Sequence, residues 1–214
     1  MFQKFTEVLN YIASHPDNFR EALGQHLLLV LVPLTISLVL GLPLGLLSAR
    51  SRTASTVLIN TVNGLRVIPS LAILFVAIPY LGLSFKSAAV ALTLLALPPI
   101  LISTDVAFRT IEPTIIEAAK GMGMSPRQIL QQIEIPLVLP VIIAGIKTAT
   151  VEVIASATLA AFIGAGGLGS FIVLGFALYD QSILLVGAIP VAILALVAEV
   201  SLTALQRLTS SHSV

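Results

Sequence analysis

Three charged side chains stand inside otherwise apolar stretches of the chain: Arg66, Lys147 and Glu152. A charge at membrane depth costs about 2.5–3.5 kcal/mol on insertion scales and persists where it faces protein or water. Such residues either anchor helices to one another or line a polar path. Pro69, three residues after Arg66, frees a backbone carbonyl one turn earlier and kinks its helix. Arg66 is therefore read as the anchor of that kink or as part of a gate. Lys147 and Glu152 lie about 140° apart around a helix, so they cannot form an i, i+4 pair and each needs a partner elsewhere. Glu152, near the middle of its stretch, is the candidate for meeting a cationic solute; the plainer reading is a structural bond to Arg66 or to Lys147 of another subunit. Asp105 and Glu199 sit near the ends of apolar stretches and need no role beyond solvation at the interface. The three histidines, His15, His26 and His212, lie toward the chain ends, leaving no mid-membrane imidazole for a catalytic or metal site.

A second concentration of polar chemistry occupies residues 109–136, which hold Arg109, Glu112, Glu117, Lys120, Arg127 and Glu134. A plain tether would favour glycine and serine. This segment is instead punctuated as helix twice. Pro113 suits a first helical position, Lys120 a last turn, and Gly121 or Gly123 a helix end. Ser125-Pro126-Arg127-Gln128 then restarts a helix with the pattern of a capping box. Two short helices bent at glycine form a compact knob with surface to offer another protein. Pro136 and Pro140 mark the return to apolar sequence.

These groups must be positioned by membrane helices. The chain has 214 residues, 57% of them apolar and only 10% charged, and its mean hydropathy of +1.06 excludes an ordinary soluble domain. The expected fold is all-α and polytopic, with five transmembrane helices over 27–47, 55–80, 88–108, 137–163 and 182–205. A net charge of +1 without a basic cluster excludes nucleic acid as partner, and the absence of cysteine excludes disulfides and thiolate metal sites. With the N-terminus outside, the inner segments hold Arg50, Arg52, Arg109, Lys120, Arg127 and Arg207 against Lys4, Arg20 and Lys86 outside. That bias favours an external N-terminus and a cytoplasmic C-terminus. Residues 1–23 then form an external lead-in, with Asp17 or Asn18 as cap of the first span, and 208–214 a cytoplasmic tail. The segment 164–181 contains Gly164, Gly166, Gly167 and Gly169 and a run too short to cross. It reads as an external re-entrant half-helix, with Gly166 and Gly167 as candidate gate positions. Its match to a dinucleotide-binding glycine pattern lacks the required preceding strand.

The segment 117–136 resembles the EAA motif of ABC-importer permeases: E-A-A, three residues, G, nine residues, I-x-L-P. The match falls on Glu117, Ala118, Ala119, Gly123, Ile133 and Pro136, with Ile135 in place of the usual leucine. Stretches 66–72, 146–151 and 157–169 are similar to the osmoprotectant branch, which imports glycine betaine, choline or carnitine. The resemblance implies a type I importer permease that is not an enzyme and works as a dimer, identical or with a close relative, in the inner membrane. It implies a cytoplasmic ABC ATPase dimer docked on the EAA loop as a coupling helix, an external solute-binding protein, and surrounding lipid. The chain has no G-x-x-x-x-G-K-[ST] phosphate loop and binds no cofactor of its own, so ATP is used by the partner. Methionine-type amino-acid transport is the alternative within the class. A secondary transporter or channel, using Glu152 and Asp105 as coupling carboxylates, is the alternative outside it.

Overall fold

The computed structural model describes residues 2–210, and every regular element among them is helical. Residues 211–214 of the expected tail, His212 included, lie outside the described residues. A lead-in helix α1 (Phe2–Ser14) precedes α2 (Pro16–Arg50), a 35-residue helix. The cap expected at Asp17 or Asn18 does not form, because the helix starts earlier, at Pro16, with His15 in the cap position. Proline suits the first position because its missing N–H would be unpaired there anyway, and Asp17 in the first turn complements the helix dipole.

Helix α5 (Phe85–Arg109) runs parallel to α2. Ser37 Oγ donates to the Thr93 carbonyl at 3.0 Å and Ser48 Oγ to Asp105 at 2.6 Å, so contacts advance together along both chains. Two parallel neighbours require the intervening segment to return across the layer. That segment is a pair, α3 (Arg52–Val67) and α4 (Ser70–Leu81), bent by 98° at the break. The kink expected at Pro69 is therefore a full break. Ile68, which precedes the proline, sits at φ −78°, ψ 122°, the extended conformation into which a following proline ring drives a residue.

Small residues let three helices approach closely. A Cβ on Gly45 of α2 would come within 2.8 Å of the Leu101 carbonyl on α5, and one on Gly145 within 2.8 Å of the Pro99 carbonyl. With no water to expel between them, membrane helices associate through this kind of backbone approach. The block formed by α2, α5 and the helix carrying Gly145 buries Leu29, Leu92, Ile100 and Val153.

The chain then forms α6 (Pro113–Gly121) and a second helix whose extent differs from expectation. Helix α7 (Pro126–Ile129) does not stop short of the membrane. It continues through a π-helical turn (Leu130–Glu134), α8 (Ile135–Ala157) and a 3-10 turn (Thr158–Ile163). The whole span Pro126–Ile163 is one helical rod of 38 residues. In the π turn the Ile135 amide reaches the Leu130 carbonyl five residues back. The following Pro136 can donate nothing and its ring crowds the carbonyl four residues earlier, which the wider turn relieves.

After a glycine-rich turn, α9 (Gly169–Ala177) covers about 14 Å, half of the apolar core, and α10 (Gln181–Ser210) crosses antiparallel to α8. The lead-in α1 packs on this region. Tyr11 meets Phe171 edge-on at 6.1 Å, and Ser182 Oγ donates to Glu7 at 2.6 Å.

Candidate functional site

The knob is built by two local motifs placed back to back. At the end of α6 the Met124 amide donates to the Ala119 carbonyl at 3.2 Å and the Gly123 amide to the Lys120 carbonyl at 2.9 Å. This paired closure is a Schellman motif, whose turning residue must be left-handed. Gly123 occupies that position at φ +77°. One residue later, the Ser125 amide donates to Gln128 Oε1 at 2.8 Å and the Gln128 amide to Ser125 Oγ at 3.4 Å, completing the capping box. The expected cap thus forms, and of the two candidate glycines Gly123 makes the turn. Replacing Ser125 by alanine is expected to lower the chain's thermal stability by about 1 kcal/mol, the usual worth of an N-cap. Thermal unfolding in detergent checks this; an unchanged midpoint would deny the cap its role.

The paired alanines divide their work. Ala119 is 1% exposed and packs inside its own chain. Glu117, Ala118 and Gly123 face outward with Met122, which is 72% exposed. Ile133 is half-buried on the π turn, and Pro136 is exposed at the start of α8. The outward set forms a small, partly apolar convex face carrying one carboxylate at the foot of the 38-residue rod.

The charged residues within the spans separate into two groups. Lys147 on α8 pairs with Glu199 of α10 at 3.0 Å and donates to Thr203 Oγ1 at 3.2 Å. Glu199 therefore has the structural partner that its position near a helix end did not suggest. Asp105 is likewise not a solvated interface group: it is 5% exposed and receives bonds from Ser48 and Arg109. Arg66, in the last turn of α3, and Glu152, on α8, remain exposed on the single chain. Glu152 makes no hydrogen bond or ion pair with a side chain among the described residues. Pro69 sits at the break directly after Arg66's helix.

The glycine segment follows the 3-10 turn rather than a strand, which removes the dinucleotide reading. Gly166 and Gly167 have φ of +78° and +83°, and the Gly167 amide donates to Gln25 Oε1 at 2.9 Å. His26 is fully buried beside Gly167. An imidazole thus lies in a long helix after all; Gln25 ties this turn to the start of α2, and His26 packs beside it. Sequence reading missed both because the tie spans 142 positions. No group of three or more metal-ligating side chains exists among the described residues.

Residues 41–211 match the family described as binding-protein-dependent transport system inner membrane component. The carnitine transport permease protein OpuCB of Listeria monocytogenes is 42% identical over 203 residues, covering 94% of this chain and 93% of its own length. The choline transport system permease protein OpuBB of Bacillus subtilis is 39% identical, covering 86% of this chain and 84% of its own. Among solved structures, an inward-facing methionine ABC transporter, MetNI, superposes with a TM-score of 0.77 at 24% identity, covering 90% of this chain and 96% of the other. At that identity the likeness is one of fold.

Proposed function

The chain belongs to the family of binding-protein-dependent transport system inner membrane components, and from that membership we propose that it is the permease subunit of an ATP-driven importer for quaternary-ammonium osmoprotectants. The observation that carries the ATP-driven part is the knob. A bend held by a Schellman motif and a capping box presents Glu117, Ala118, Met122 and Gly123 outward at the end of a continuous rod. A flexible connector needs none of that order, whereas a surface docked in an ATPase subunit does. In this reading the closing ATPase dimer pushes the knob, and Pro126–Ile163 carries the displacement into the membrane.

The solute class is supported by relatives named for carnitine, choline and glycine betaine transport. The pathway runs between two copies of this chain, or this chain and a close relative, with Arg66, Pro69 and Glu152 facing it. Lys147 braces α8 against α10 behind it. An external solute-binding protein delivers the solute near Gly166 and Gly167. The side carrying Arg50, Arg52, Arg109, Lys120 and Arg127 faces the cytoplasm, with the N-terminus outside. Lipid covers the remaining apolar faces, and the ATP belongs to the partner.

Competition uptake tests the solute class. Excess glycine betaine, carnitine or choline should suppress uptake of labelled choline by the assembled transporter, and methionine should not; suppression by methionine alone would move the chain to an amino-acid branch. Replacing Glu152 by glutamine is expected to reduce uptake of cationic choline roughly tenfold more than uptake of zwitterionic glycine betaine, the value of one lost charge contact of about 1.4 kcal/mol. Equal losses for both solutes would make Glu152 a structural residue.

A further inference from the structure

Five side chains at the knob end of the bundle form two neighbouring polar groups that the docking surface does not use, Arg50 with Glu134 and Arg109 with Asp105 and Ser48. Glu134, the last residue of the π turn, is 3% exposed, and its carboxylate pairs with Arg50 at the end of α2. The Arg50 guanidinium also lies over the Phe108 ring of α5, 5.8 Å from its centroid. Beside it, Arg109 Nε donates to both Asp105 oxygens at 3.0 Å, and Arg109 Nη2 donates to the Ser48 carbonyl at 2.7 Å. Ser48 Oγ donates to Asp105 at 2.6 Å. Two acids and two bases cancel, so the two groups together are neutral. Of the three ion pairs among the described residues, two lie here.

Such an ion pair is a weak source of stability, because desolvation of the buried carboxylate and screening of the half-exposed guanidinium offset most of the attraction. It does fix one geometry, since only one arrangement leaves no buried charge unpaired. Here that arrangement joins three elements at one level: the end of α2, the end of α5, and the root of the rod that begins at the knob. The joint sits on the π turn, where the helix is wound more loosely and bends most readily. Above it, Gly45 and Gly145 hold the same helices at backbone distance.

We propose that Arg50 and Glu134, seated on the Ser48–Asp105–Arg109 bonds, are the positioning joint that makes motion of the knob move α2 and α5 together with α8. The joint rests on the coupling reading above. Without it, the rod can flex at the π turn and the push is absorbed there. Glu134 is then a transmission residue distinct from the outward-facing Glu117.

The test uses the whole transporter, this chain with its ATPase and binding protein, in proteoliposomes supplied with labelled glycine betaine and choline. Solute taken up per ATP hydrolysed is measured for Arg50→Gln, Glu134→Gln and the double variant, alongside co-purification of the ATPase. Each single variant is expected to lower that ratio roughly tenfold, within the range by which substitutions along a coupling network act, while the ATPase stays bound. The double variant should be no worse than either single one, since the pair acts as a unit. It also leaves no buried charge unpaired, so it folds where a single variant does not, and its ratio then decides. A wild-type ratio in the double variant would overturn the joint. Loss of the ATPase would overturn it as well, by assigning Glu134 to docking. Wild-type uptake that ran without ATP would instead overturn the coupling reading itself.

Discussion

Gly123→Leu is expected to reduce ATP-driven uptake by more than about tenfold, a loss of at least 1.4 kcal/mol of coupling. Nothing lies within 4 Å of a Cβ built at this position, so the loss does not come from crowding within the chain. It comes from φ +77°, a left-handed conformation that costs a residue with a Cβ about 1–2 kcal/mol and removes the turn that the Schellman motif needs. Leucine also places a large side chain on the outward face between Met122 and Met124. Either the bend relaxes and hydrolysis no longer drives uptake, or the ATPase no longer binds. Gly123→Asn separates the two causes, because asparagine tolerates the left-handed region with a small side chain. It should retain most of the uptake. Full uptake by the leucine variant would remove this turn from the mechanism.

Gly145→Val is expected to have the largest effect on stability. Its Cβ would lie 2.8 Å from the Pro99 carbonyl and closer still to Ser103. The obstruction is partly backbone, and Pro99 is buried within α5, so it has little room to retreat. Overpacking of this kind costs 1–3 kcal/mol or more, which should lower the unfolding midpoint by about 5 °C or prevent folding altogether. Gly24→Ala is the control, since nothing lies within 4 Å of a Cβ there. An unshifted midpoint in Gly145→Val would mean that α5 and α8 do not pack as described.

The contrast between these two glycines shows what could be read from sequence. Gly123 was legible because its motif is local: a proline start, a basic last turn, a glycine and a capping box all fall within 16 residues of one another. Helix boundaries at Pro113, Ser125 and Pro126 followed from the same short-range chemistry. The partners that join one helix to another are not legible, because a pairing such as Arg50 with Glu134 spans 84 positions and the sequence carries no register between helices. Sequence alone therefore places Asp105 and Glu199 at solvated ends, whereas both are bonded across helices. Local rules also fell short where proline acts on a helix. At Pro69 the helix breaks by 98° instead of kinking, while at Pro136 a π turn keeps it continuous. The difference lies in the preceding residue: Ile68 adopts the extended conformation, whereas Ile135 stays helical by bonding five residues back.

In the proposed coupling, that continuity would let the knob act as a lever instead of a loop. Pro126–Ile163 is one rod, so on the proposed reading a displacement of the knob is applied to the helix that carries Lys147 and Glu152. The most direct measurement is uptake of labelled glycine betaine and choline into proteoliposomes holding this chain with its ATPase and binding protein, with ATP, without ATP, and with the ATPase omitted. The expected result is accumulation only when ATP and the ATPase are both present. Equal accumulation in the other two conditions would contradict the account and identify a transporter or channel that needs no coupling knob.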